Sequence, residues 1–213
     1  NYTTIYSVNL TTDITNQVGS CINNPANFNN ITFDCNGHTI DGDDIYGGET
    51  VRWADNGIGL ITKENNTIKN CIITGFRQAI HLNETSRYNT INNNTITGAY
   101  FSATANGDGI MSYYSPNNTI TNNNLLGGSA TGIGQNNSGS CIVSNNTANY
   151  NTYAGLQFNY NSSYNNITNN TFEYNGDYGM IFRYMSNYNN LINNTVRYTN
   201  SSGSNSAGLY IFS

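Results

Sequence analysis

Residues 167–172 read Ile167-Thr-Asn-Asn-Thr-Phe172, and Leu191-Ile-Asn-Asn-Thr-Val196 repeats the phrase 24 positions later. It recurs upstream as Val143-Ser-Asn-Asn-Thr-Ala148, Ile120-Thr-Asn-Asn-Asn-Leu125, Ile91-Asn-Asn-Asn-Thr-Ile96 and Ile68-Lys-Asn-Cys-Ile-Ile73, with an earlier variant at Phe33-Asp-Cys-Asn-Gly-His38. From Ile68 onward the leading apolar residues are spaced 23, 29, 23, 24 and 24 apart. A second phrase keeps step with the first, a small residue followed by alternating apolar positions. It reads Gly57-Ile-Gly-Leu60, Ala79-Ile-His-Leu82, Gly109-Ile-Met111, Gly132-Ile133, Gly155-Leu-Gln-Phe158, Gly179-Met-Ile-Phe182 and Gly208-Leu-Tyr-Ile211. Both series place an insertion near Tyr100–Gly107, and the run 200–206 is another.

A fixed period of 23–24 residues built from short alternating segments describes one coil of a solenoid. Alternation sends side chains to opposite faces in turn, which is a strand property. Helical repeats would need apolar residues three and four apart and more Ala, Leu, Glu and Lys. Ile outnumbers Leu 22 to 8, which favours strands and excludes a leucine-rich repeat. The expected fold is therefore all-β, about seven coils of 23–24 residues, each giving two or three short parallel strands. Residues 1–28 read as an N-terminal cap or partial coil and 29–213 as the solenoid.

Asn supplies 44 of the 213 residues. It tolerates left-handed backbone angles at sharp bends, and its amide both donates and accepts. Stacked coils would place Asn over Asn at about 4.8 Å, close enough for amide ladders. Asn70, Asn93, Asn122, Asn145, Asn169 and Asn193 are the expected ladder. Tyr150, Tyr174 and Tyr198 are also in register, as are Tyr160 with Tyr184 and Tyr164 with Tyr188. These predict stacked aromatic columns, which either brace the sheets or face a sugar or a neighbouring subunit.

The stretch Asn30-Ile-Thr-Phe-Asp-Cys-Asn-Gly-His-Thr-Ile-Asp-Gly42, followed by Asn66-Thr-Ile-Lys-Asn-Cys-Ile-Ile-Thr-Gly-Phe76, resembles right-handed parallel β-helix repeat proteins of the NosD-like, pectate-lyase-like superfamily. Its nearest resemblance is to Asn- and Thr-rich surface proteins of methanogenic archaea, and it spans roughly 20–213. The resemblance implies a right-handed parallel β-helix. Its implication for function is broad, since that superfamily contains lyases, hydrolases, metal-delivery proteins and scaffolds.

Composition removes several functions. Seven Lys plus Arg against twelve acidic residues, net charge −5, leave nucleic-acid binding without an electrostatic basis. No apolar run approaches the ~20 residues of a membrane span. The chain opens Asn1-Tyr2-Thr3 without a leader, as a secreted product would once its leader is removed. It stops within the strand phrase Leu209–Ser213, which leads us to expect a further segment or a docked subunit there. Four Cys allow three full pairings. Cys35 and Cys71 occupy related positions in neighbouring phrases and are the expected disulfide. Cys21 and Cys141 would be free or pair between subunits, and four buried thiols are the alternative. Asn-x-Ser/Thr acceptors are dense. Asn65, Asn83, Asn117 and Asn161, in predicted turns, are the expected glycosylation sites, whereas Asn93, Asn145, Asn169 and Asn193 should be blocked within the ladder.

Catalytic chemistry is sparse. The densest charge is Asp41, Asp43, Asp44, Glu49 and Asp55, with His38, Arg52 and Lys63 nearby in sequence. Asp41, Asp43 and Asp44 are the calcium candidates, set against a simple solvated acidic loop. Asp108, within Gly107-Asp-Gly-Ile110, and Asp177 lie three coils apart, about 14 Å at the strand spacing and too far for paired acid–base work. His38, His81, Met111, Met180 and Met185 show no copper-ligand spacing. The expectation is a non-enzymatic, cofactor-free, N-glycosylated structural subunit of an extracellular sheath, surface layer or fibre, associating with copies of itself. The alternative is a carbohydrate-binding or polysaccharide-cleaving protein using the acidic loop or the tyrosine columns.

Overall fold

The computed structural model describes residues 6–44, 55–98, 107–127, 130–197, 199 and 206–212. Its strands form three parallel eight-stranded sheets, each coil passing through all three in turn. The third sheet is made of Ile22–Asn23, Asn56–Ile61, Gln78–Asn83, Asp108–Tyr113, Thr131–Asn136, Ala154–Asn159, Tyr178–Arg183 and Ala207–Phe212. The first phrase straddles the turn from first to second sheet; Thr119–Thr121 and Asn124–Leu126, for example, flank Asn122-Asn123. Within the stretch 1–28, expected to be a cap or partial coil, residues 6–23 give one strand to every sheet, so the described strands make eight coils.

Inward residues stack by identity. Ile68, Ile91, Ile120, Val143 and Ile167 are wholly buried in the first sheet, and Ile58, Ile80, Ile110, Ile133 and Leu156 in the third. Each such side chain contributes about 1.5–3 kcal/mol by leaving water. The small residue preceding the third-sheet column has a steric cause. A Cβ at Gly109, Gly132, Gly155 or Gly179 would lie 2.7–2.9 Å from the carbonyl oxygen of the glycine one coil on. Backbone therefore fills the space where a side chain would stand.

The Asn pair divides its labour. Asn70, Asn93, Asn122, Asn145, Asn169 and Asn193 all adopt φ of 54–58°, the left-handed conformation the bend requires. Among the described residues they form fragments of the ladder expected of them. Asn93 donates to Asn70 (2.7 Å), but Asn122 reaches across to Asn92 instead, and both contacts are exposed. The buried ladder is one residue on, at Asn94, Asn123, Asn146, Asn170 and Asn194. Turning left-handed points the first amide outward and the next one inward. Asn146 uses its full capacity. Its Oδ1 accepts from the backbone N and Nδ2 of Asn123 (2.9 and 3.0 Å). Its Nδ2 donates to the Ile120 carbonyl (2.9 Å) and Asn170 Oδ1 (3.0 Å). Asn66, Asn89 and Asn118 begin a second ladder at the turn from third to first sheet, resumed by Asn165 and Asn189.

Cysteines occupy rungs of these ladders. The Cys71 N–H donates to Asn94 and the Cys141 N–H to Asn165, as an Asn there would. Cys35 and Cys71 form the expected disulfide. Cys21 and Cys141 are free thiols. Cys141 is 1% exposed, and burial pushes its thiol up to about 11.

Replacing Asn146 by Ala should strand a backbone N–H, a carbonyl and two neighbouring amides, costing about 3 kcal/mol. Asn145→Gly, which relieves a left-handed Asn, should be near neutral. Urea unfolding of the two variants checks this; equal losses would move the ladder back to Asn145.

Candidate functional site

The outward face of the third sheet carries a groove of about 680 Å³. Its position follows from the second phrase: between inward apolar residues, each strand turns a polar or small residue outward. One outward row runs Asp108, Thr131, Ala154, Tyr178 along the axis. A second runs His81, Met111, Gly134, Gln157, Ile181, and a third Tyr113, Asn136, Asn159. Arg183 ends the strand below Asn159, and Asp177 and Tyr153 enter from the turn before the sheet. A Cβ at Gly134 would sit 2.8 Å from Met111 Sδ, so glycine lets that methionine lie across the sheet.

The groove is lined mainly by neutral hydrogen-bonding groups. Thr131 Oγ1 donates to Gln157 Oε1 (3.3 Å). Gln78 Oε1 and Asn159 Oδ1 are buried acceptors with no partner among the described residues. Four charges frame them. At one end Arg77, 6% exposed, donates its backbone N–H to Asp55 Oδ2 (3.1 Å), and its charge acts on both Asp55 and Asp108. At the other, Arg183 lies over the rings of Tyr153 and Tyr184, with Cζ 5.6 and 5.8 Å from their centroids. Asp177 shares that end, its backbone N–H bonded to the Tyr153 carbonyl (2.8 Å).

Burial pushes Asp108 up to about 7, against the hydrogen bonds of Thr131 and the charge of Arg77, which favour the carboxylate. His81, in the neighbouring strand, is held down to about 4 by the same desolvation. Asp55 is also raised, first by burial and then by Asp43.

The other expected sites fare differently. Among the described residues no three His, Cys, Asp or Glu side chains converge to hold a metal. Asp41 takes the backbone N–H of Asn16 at 3.5 Å, and Asp43 acts on Asp55; Glu49 and Arg52 lie outside the described residues. His38 bonds Asp13 through Nδ1 (3.1 Å) and Met180 is in the core. Asp108 and Asp177 line one groove, but their rows keep them three strands apart. Tyr150–Tyr174, Tyr160–Tyr184 and Tyr164–Tyr188 stack at 5.0, 4.8 and 5.0 Å, within 15° of parallel; Tyr198 lies outside the described residues. Each stack covers one face of each ring and leaves the rings 39–76% exposed, and Tyr160 also lines the groove. Asn65 and Asn161 are exposed and Asn83 and Asn117 half-buried. Asn93, Asn145, Asn169 and Asn193, expected to be blocked, are exposed because the left-handed bend turns them out.

The pKa shifts of Asp108 and His81 oppose each other in stability. Asp108, raised in the fold, makes stability fall as pH climbs from about 4 to 7. His81, lowered in the fold, makes it rise from about 4 to 6.5. The stability gained by Asp108→Asn over the wild type should therefore grow steadily from pH 4 to 7. Urea midpoints at pH 4, 5, 6, 7 and 8 measure it; a pH-independent difference would mean Asp108 titrates normally.

No curated protein sequence matches the chain. By structure it is similar to the Dettilon tailspike protein, with a TM-score of 0.53, 14% identity and 96% of this chain covered. The match spans 61% of the tailspike chain, and at that identity it is a likeness of fold. The family described as right-handed beta helix region matches residues 56–213, well over half of the sequence. With three parallel sheets wound coil on coil and that match, the chain belongs to the right-handed parallel β-helix family.

Proposed function

We propose that this chain is an extracellular, non-catalytic glycan-binding β-helix whose site is the groove on the third sheet. The observation that carries the reading is the lining itself: Gln78, Asn136, Gln157 and Asn159 amides beside Tyr153 and Tyr160, with buried acceptors left unpartnered. Planar amides read sugar hydroxyls by donating and accepting at once, and tyrosines add flat apolar area with a polar tip. A hydrolytic reading has less support, because the groove's two acids are about 14 Å apart at the strand spacing, beyond the ~5–9.5 Å of paired glycosidase carboxyls. The likeness to a tailspike protein supports a surface role, and the Cys35–Cys71 disulfide supports an oxidising compartment. Glycan-array binding should be seen for the wild type, fall at least tenfold in Gln157→Leu and Asn159→Leu, and persist in Tyr164→Ser, which alters a turn column outside the groove. Retained binding in both groove variants would remove the site.

A second reading, the self-associating sheath or fibre subunit, is favoured by the exposed apolar residues on the outer faces of the first two sheets. Ile72, Leu126, Ile142 and Ile192 are 38–45% exposed. Side-by-side packing of flat, weakly charged faces would cover them, with N-glycans on the outward turn asparagines. Negative-stain microscopy of the purified chain should then show regular filaments or sheets; dispersed rods at all concentrations would end this reading.

A further inference from the structure

Arg183 stands apart among the Lys and Arg side chains of the described residues. Lys69, Arg87 and Arg197 each approach a carboxylate one coil away, at 3.0, 2.9 and 3.8 Å. Lys63 donates to the Ala26 carbonyl at 3.1 Å, and Arg77 sits between Asp55 and Asp108. The guanidinium of Arg183 makes no ion pair among the described residues, and its Nε is buried without an acceptor. It nevertheless lines the groove, held between the Tyr153 and Tyr184 rings. Cation–π contacts fix the plane of a guanidinium but accept none of its N–H groups. A half-buried guanidinium held in one plane, with no carboxylate partner among the described residues, is suited to a planar or multi-oxygen anion.

Its row adds direction. Asn136 and Asn159 precede Arg183 on successive strands, so two amides and then the guanidinium follow one another along the axis at about 4.8 Å per step. Asn159, on the strand before that of Arg183, carries a buried Oδ1 with no partner among the described residues. The wider field is opposed to polyanions, since the chain carries −5 and Asp177 lines the same end of the groove. A densely charged polymer would be repelled before it reached Arg183. One isolated anionic group on an otherwise neutral sugar chain would not.

Resting on the glycan-binding reading of this groove, we infer that its ligand is a largely neutral oligosaccharide bearing a single anionic substituent, a uronic carboxylate or a sulfate ester, received by Arg183 while Asn136 and Asn159 read neutral hydroxyls beside it.

The test is an oligosaccharide array in which each chain is present as a neutral hexose form, a form with one uronic acid and a form with one sulfate. Hits are then followed by calorimetry on the intact chain. The expected result is binding of an acidic form at least tenfold tighter than its neutral counterpart, with that preference lost in Arg183→Gln. Arg183→Lys should keep only part of it, because a point charge lacks the fork. Asp177→Asn, which removes the opposing charge and leaves the guanidinium in place, should raise the ratio of acidic to neutral binding. The uronate and sulfate arms identify which anion is read. Equal binding of neutral and acidic forms, or a preference that survives Arg183→Gln, overturns the inference and leaves the groove reading intact. Failure of every form to bind the wild type overturns both.

Discussion

Everything in this molecule depends on stacking one coil on the next at the strand spacing, because that contact must satisfy the backbone at the bends as well as in the sheets. Between strands the ladder runs by itself. At a bend the peptide groups turn inward, where no water reaches them, and an unpaired N–H or carbonyl there costs about 1–3 kcal/mol. Buried asparagines solve this with one residue type, since each amide serves a coil above and a coil below. Serines do the same at the third bend, where Ser115 N–H meets Ser138 Oγ and Ser138 N–H meets Ser162 Oγ. A residue that can only donate or only accept would leave one neighbour unsatisfied.

That constraint explains both the composition and the weak charge. Positions at a bend must repeat every coil, so Asn is enriched by geometry before any function is considered. Like residues then lie about 4.8 Å apart in columns, and a column of like charges would repel itself. Where charge does occur in register it alternates, as in Lys69 beside Asp34 and Arg87 beside Glu64. Columns of neutral amides and aromatic rings avoid the problem, which is why Tyr150 and Tyr174, though left-handed, can stand on one another.

The groove is a departure from this regularity. Along the outward rows of the third sheet the residues change from coil to coil, from Asp108 to Thr131 to Ala154, and from Met111 to Gly134 to Gln157. Those positions carry no bend and lie outside the main core, although Ala154 joins Tyr178 and Ile181 in a small apolar cluster of its own, so the architecture dictates few of them. Buried polar atoms of Gln78, Asn159 and Arg183 with no partner among the described residues belong to side chains that line that face. Function is most readily placed where stacking leaves the residue choice open.

How much was legible follows from the same distinction. Period, strand alternation, parallel stacking and the Cys35–Cys71 pair could be read directly, because repetition in space is repetition in sequence. The left-handed role of Asn145 and its counterparts was legible too, but which amide of each pair points inward was not, since that depends on the direction a bend imposes on two adjacent side chains. The site was least legible. Gln157 between Leu156 and Phe158 marks an outward position, yet its neighbours in the groove, Thr131, Asp108 and Arg183, are 26, 49 and 26 residues away. Sequence by itself determined the coil, because one period encodes one turn of backbone. Tertiary structure alone decided the groove, because it exists only where outward side chains from several coils meet across the sheet.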